Sequence, residues 1–322
     1  MAPGGVGGAD GSDGPGGPGR RPAEGEPQRP RAPAEKRRAR SSGAKGASPA
    51  RVAKQARRRD WLEAGRSALR PGPEWTLIEG RRPVVEALRG GRRVARVVVA
   101  AGGAERGTLA ELLALAAERG VPVETVPRSV LDAHAETGAH QGVAAVVAPL
   151  EPIELDELLA IPLGGSEPPF FLALDGIEDP HNLGALVRSA DAAGCHGVVL
   201  PRHRSAPLSA TAVKSSAGAL EHVPVAEVPN LTRALERLHA SGLWCVGLDA
   251  GAQASLFDLD LTDEPVCVVV GGEGAGLHRL VRETCDLLVR IPMGGQVESL
   301  NASVAGALAL FEVRRRRARA RV

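Results

Sequence analysis

With 322 residues, 43% of them hydrophobic and 24% charged, the chain is long enough for two domains and too apolar to be unfolded throughout. Aromatics make up only 2% and there is no Tyr, which argues against a base-stacking sheet of the RRM or OB type. The net charge of +2 hides an asymmetry: residues 20–59 carry 11 Arg and 3 Lys against 3 Glu, and residues 314–321 add six Arg, so the rest of the chain is acidic.

Residues 1–50 hold 12 Gly and 8 Pro and no aromatic, too little apolar mass to offset the entropy of ordering. A disordered basic arm is expected over 1–72, with a helix around Trp61 and Leu62 (52–69) that orders on a partner. Residues 73–150 read as a small α/β unit, with strands at 96–100, 121–126 and 143–148 and helices at 83–88 and 108–118. Pro83 suits a first helical turn. A helix-containing connector is expected over 151–168.

From 169 to 313 strands and helices alternate. Strands are predicted at 170–174, 197–200, 223–226, 243–248, 266–270 and 287–291, and helices at 182–193, 231–240, 277–284 and from 299 to about 316. Continuous Val/Leu runs between helices indicate an α/β domain whose parallel sheet is covered on both faces. Residues 314–322 read as a basic tail. Basic ends of this kind bind phosphate backbones or remain merely solvated. The four cysteines, 195, 245, 267 and 285, show no metal-ligand spacing, so no metal and buried, reduced thiols are expected. No apolar run nears the ~18 residues of a membrane span, and no signal-peptide core is visible; a cytoplasmic protein is expected.

Three segments place Gly, Asn, Ser or a charge where a strand gives way to a helix: LDGIEDPHNLGALVRSA (174–190), VGGEGAGL (270–277) and IPMGGQVESLNAS (291–303). Ligands of open α/β sheets bind at such carboxyl ends of strands. The glycine loop is out of register with a dinucleotide-binding GxGxxG and follows a late strand, so it is either a tight turn or a backbone-lined ligand site. Asn182 is a helix cap or a site amide, and Arg188 an exposed helix arginine or a site cation. Ser299 and Asn301 are a capping arrangement or part of the same site.

These segments resemble the three motifs of the SpoU/TrmH branch of the SPOUT RNA 2′-O-ribose methyltransferases. RSAPLSATAVKSSAGALEH (204–222) fits the stretch between the first two, and IEGRRPVVEAL (78–88) and HQGV (140–143) resemble the family's ribosomal-protein-like substrate-binding domain. Residues 75–312 are covered. The resemblance implies a trefoil knot, a homodimer, and S-adenosylmethionine held by Gly271, Gly272, Ile291, Met293 and Leu300. It implies catalytic roles for Arg188, Asn182, Glu273, Ser299 and Asn301, with Glu273 bonded to loop amides or Arg188 and Ser299 capping the last helix. Within the family, 175–188 and 205–214 are most similar to enzymes that methylate a guanosine ribose in the peptidyl-transferase region of 23S rRNA, so 23S rRNA or a ribosomal precursor is the expected partner. The alternatives are a tRNA or other rRNA target, a non-catalytic ribosome-assembly factor, and, more distantly, a dehydrogenase.

Overall fold

A computed structural model describes residues 62–63, 65–103, 105–135, 139–165, 167–259, 263–296 and 299–320. Most of the expected basic arm, including Trp61, lies outside these residues; 65–69 are helical.

The first unit is built on a four-stranded sheet of β1 (Thr76–Glu79), β2 (Val94–Ala100), β3 (Val123–Val126) and β4 (Val143–Val147), in the order β1-β4-β2-β3. Alternation along its strands sends side chains to opposite faces. Val97, Val99, Val143 and Ala145 meet α1 (Arg81–Arg89) and α2 (Thr108–Glu118). Val98 and Ala144 face Leu69 and α3 (Arg128–His134). The four-residue β1 and seven-residue α3 are too short to show a period, and neither is predicted from the sequence.

The second unit is a seven-stranded parallel sheet: β5 (Phe170–Asp175), β6 (Gly197–Pro201), β7 (Val225–Val228), β8 (Trp244–Leu248), β9 (Ala254–Ser255), β10 (Val266–Gly271) and β11 (Leu287–Arg290). The order is β7-β6-β5-β10-β8-β11-β9. One face packs Phe170, Leu172, Leu174, Val268 and Val270 against α5 (Pro180–Ala193) and the long α9 (Ala302–Ala320). The other packs Phe171, Ala173, Cys267 and Val269 against α4 (Leu155–Ala160), α7 (Leu231–Ala240) and α8 (Arg279–Thr284). The expected doubly covered parallel sheet is therefore present. The predicted strand 223–226 lies two residues later, and the Ala/Ser-rich α6 (Ala210–Ser215) was not anticipated.

The expected connector contains its helix, α4, and packs on the sheet, whereas the expected tail differs. The connector 151–168 is tied down: Ile153 bridges Ala226 of β7, and Leu158 of α4 is buried over Gly197. The basic tail is instead the end of α9 through Ala320, and Arg314 to Arg317 are used internally. Buried Arg317 donates from Nη1 to the Pro168 carbonyl at 2.8 Å and from Nη2 to that of Glu264 at 2.8 Å, with its guanidinium 5.0 Å over the Phe170 ring. Arg315 and Arg316 both pair with Glu312, and Arg314 with Glu167. A charge run says nothing of where each guanidinium ends, and here the helix pins the start of β5 beside that of β10.

The two units meet at the segment after α6. Arg92 donates to Glu221 at 2.6 Å, a pair almost wholly enclosed, and burial pushes the Glu221 carboxyl up while Arg92 pulls it down. His222 lies 3.0 Å from Glu86. All four cysteines are free, and burial pushes the Cys285 thiol up to about 12. No described helix is long and apolar enough to cross a membrane, and no metal-ligand cluster occurs among the described residues.

Candidate active site

The chain leaves β5 toward β6 on one side, while β10 leads through α8 to β11 on the other, so the β5/β10 boundary is where the strand order diverges. Crevices for ligands open at such points. The register pairs Asp175 with Gly271, which starts the first two sequence segments side by side. Asp175 then locks them together by accepting from the His278 backbone N–H at 2.7 Å and its ring Nδ1 at 3.0 Å.

The glycines of the second segment are required by the protein's own backbone. A Cβ on Gly271 would stand 2.2 Å from the Gly276 carbonyl carbon and 2.4 Å from the Leu277 nitrogen; one on Gly272 would stand 2.3 Å from the Gly176 oxygen. The loop folds back on itself, with the Gly276 N–H donating to the Gly272 carbonyl at 3.1 Å. Ligand approach alone is therefore not the reason for glycine at these two positions.

The third segment reaches the first two because α9 lies close on α5 and β10. A Cβ on Gly306 would stand 2.3 Å from Leu186 and 3.3 Å from Val270. This approach brings three side chains together. Glu273 Oε1 accepts from Asn182 Nδ2 at 2.9 Å and from Asn301 Nδ2 at 2.6 Å, while Asn301 Nδ2 also reaches Asn182 Oδ1 at 3.0 Å. One residue from each segment thus forms a closed cluster, as a half-buried polar network requires.

Of the two readings of Asn182 the structure selects the site amide, and the roles of Ser299 and Glu273 differ from those expected. Asp179, not Asn182, caps α5, accepting from the His181 N–H at 2.9 Å; Asn182 is buried and faces Glu273. Asn301 rather than Ser299 caps α9, through Ser303 N–H at 2.9 Å and Val304 N–H at 3.3 Å. Glu273 bonds the two asparagine amides rather than Arg188.

Beside this cluster lies a cavity of about 660 Å³, in the range of small-molecule and cofactor sites. Gly271, Gly272, Glu273, Ile291, Met293, Ser299, Leu300 and Asn301 all line it. Sequence reasoning missed its far wall, Leu248, Asp249 and Ala250 at the end of β8, with Arg282 of α8 paired to Asp249 at 2.7 Å. That wall is also a strand end running into a turn, so the signal was present in LDAG (248–251). Arg188 does not line the cavity. It is exposed on α5, and its side chain makes no hydrogen bond or ion pair among the described residues.

The arrangement combines a cleft of glycine backbone and apolar side chains with an amide-and-carboxylate cluster at its rim and a free guanidinium on the next helix. Residues 169–311 match the model of the SpoU rRNA methylase family, and 77–153 match that of the RNA 2′-O ribose methyltransferase substrate-binding domain. YacO of Bacillus subtilis, named for the TrmH family of tRNA/rRNA methyltransferases, is 45% identical over 74% of this chain and 95% of its own length. The crystal structure of the SpoU methyltransferase AviRb from Streptomyces viridochromogenes with AdoMet superposes with a TM-score of 0.63 at 29% identity, covering 80% of this chain and 97% of that one. An AdoMet-bound rRNA methyltransferase from Sinorhizobium meliloti gives 0.64 at 26% identity, over 79% and 94%.

Proposed function

The chain belongs to the SpoU/TrmH family of S-adenosylmethionine-dependent RNA 2′-O-ribose methyltransferases, and on that premise we propose that its target is a guanosine ribose in the peptidyl-transferase region of 23S rRNA. The observation that carries the catalytic part is the Asn182–Glu273–Asn301 cluster on the rim of the cavity. The likeness of 175–188 and 205–214 to the 23S enzymes, and the presence of a substrate-binding unit, support the choice of RNA.

The cavity fits the cofactor. Its Gly271–Gly272 backbone, Ile291, Met293 and Leu300 offer amides and apolar surface to a flat adenine, and Asp249 and Glu273 add carboxylates to the lining. Once bound, S-adenosylmethionine supplies an electrophilic methyl group; the trefoil knot implied by the family belongs to this reading. Attack needs the ribose 2′-oxygen held in line, about 3 Å away. Asn182 and Asn301, fixed by Glu273, orient the ribose, and Ser299 faces it. Arginine holds its own proton too tightly to be a good base. Arg188 therefore grips the adjacent phosphate and stabilises the forming alkoxide, while the 2′-hydroxyl proton passes to a phosphate oxygen or water.

A homodimer is part of the same reading. An apolar groove of about 430 Å³ runs between α5 and α9, lined by Ala185, Val304, Leu308 and Phe311; the last three are partly exposed. Arg188 is one helical turn from Ala185, so it borders this face. Leu308→Glu combined with Phe311→Glu is expected to convert the dimer to a monomer in light scattering and to lower activity at least tenfold. A wild-type protein that is monomeric at micromolar concentration refutes the dimer.

The function is tested with labelled S-adenosylmethionine and full-length 23S rRNA, 16S rRNA and tRNA. Label in 23S alone, mapped to a ribose of the peptidyl-transferase hairpin, is the expected result. Label in tRNA keeps the chemistry and overturns the target. Residues 20–59, outside the described residues, belong to the proposal as a further rRNA contact.

A further inference from the structure

We propose that the loop Arg202-His203-Arg204, between β6 and α6, is a rigid clamp for the phosphate backbone of the RNA substrate. The inference rests on the reading of the chain as an RNA methyltransferase, and adds a contact outside the three motifs.

Four observations carry it. The three side chains are exposed, and none makes a hydrogen bond or ion pair among the described residues. Their guanidiniums are therefore open to an anion from outside, unlike those of Arg92 and Arg317, which are used within the fold. The loop is also clamped at both ends. The Arg202 N–H donates to the Val228 carbonyl at 2.8 Å, the Ala206 N–H to the Ile177 carbonyl at 2.7 Å, and the Ser209 hydroxyl caps α6. Its tip is held in an uncommon conformation: Arg204 has φ +58°, a left-handed value that an unbranched cationic side chain adopts only against its steric preference.

Position supplies the fourth observation. The Ala206–Ile177 bond ties the loop to the turn that leads into Asn182 and Arg188. The helix it feeds, α6, packs against α5 on one side and against β1 of the substrate-binding unit on another. The loop thus adjoins both the turn before Asn182 and the helix that joins the two units, where an RNA engaging both would meet it. Two guanidiniums and an imidazole, unpaired on a backbone tied at both ends, offer donors to a sugar-phosphate chain at that point.

The test compares wild type with Arg202→Ala/Arg204→Gly, in which glycine relieves the left-handed backbone as the guanidinium is removed, and with Arg202→Lys/Arg204→Lys. Binding of a 23S rRNA transcript and of tRNA is measured from 50 to 300 mM salt, with S-adenosylmethionine affinity by calorimetry. The charge-deleted variant is expected to bind either RNA about tenfold more weakly and to lose roughly 1.4 to 1.8 from the slope of log K against log salt, with cofactor affinity unchanged. The lysine variant should keep the slope. Unchanged RNA affinity and slope overturn the clamp; so does a parallel loss of cofactor binding, which marks the loop as structural. Methylation of any RNA by wild type is checked first, and its absence removes the underlying reading independently of the loop.

Discussion

Arg188→Ala should lower methyl-transfer turnover by about 10²–10³-fold while leaving S-adenosylmethionine affinity within a factor of two. The first number is the usual loss when one donor to a developing oxyanion is removed. The second follows from place: Arg188 stands on the exposed side of α5 and contributes nothing to the cavity wall. The fold should be untouched, because no hydrogen bond or ion pair is lost with the guanidinium. Lysine is the informative companion. It keeps the charge and loses the planar fork, so Arg188→Lys should remain well below wild type if the guanidinium grips a phosphate in two places. Near-full activity of the lysine variant would end the bidentate version of the idea. Weak cofactor binding in the alanine variant would make Arg188 a structural residue instead.

Most of what positions Arg188 is local and was legible. Apolar runs of four to six residues bounded by Gly or Pro mark the strands, and the helical spacing of Leu183, Leu186, Val187 and Ala190 marks α5 and its buried face. Three strand-to-helix junctions with Asn, Glu and Ser point to one site before any coordinate is known. What the sequence hides is long-range. Asn182, Glu273 and Asn301 are 28 to 119 residues apart, and nothing in their neighbours says that one carboxylate oxygen accepts from both amides. The competition for the cap of α9 is of the same kind. Ser299 and Asn301 are both good capping residues, and only the last residue before the helix, Asn301, has its oxygen over the free N–H groups. The arginines of α9 were misread for a related reason, since a count of charge carries no direction. Arg317 turns inward to carbonyls of Pro168 and Glu264, whereas Arg202 and Arg204 turn out.

A second substitution with a large expected effect separates the two reasons for glycine in the loop proposed to hold the cofactor. Gly271→Ala puts a methyl group 2.2 to 2.4 Å from the backbone of Gly276 and Leu277, where no rotamer change relieves the clash. The loop must open, breaking the Gly276–Gly272 hydrogen bond and moving Glu273, which holds Asn182 and Asn301. Overpacking of this kind costs about 1–3 kcal/mol, and it falls on the wall of the cavity itself. The variant is expected to unfold at lower temperature and to bind S-adenosylmethionine at least a hundredfold more weakly, with methylation lost in step. Gly294→Ala and Gly295→Ala are the controls, since nothing lies within 4 Å of a Cβ at either position. Both should fold and bind the cofactor as wild type does. If Gly271→Ala instead binds normally, the loop closes in some other way. If a control loses binding while Gly271→Ala does as well, the Met293 segment presses on the cofactor, and ligand approach sets the glycine requirement there while backbone packing sets it at Gly271.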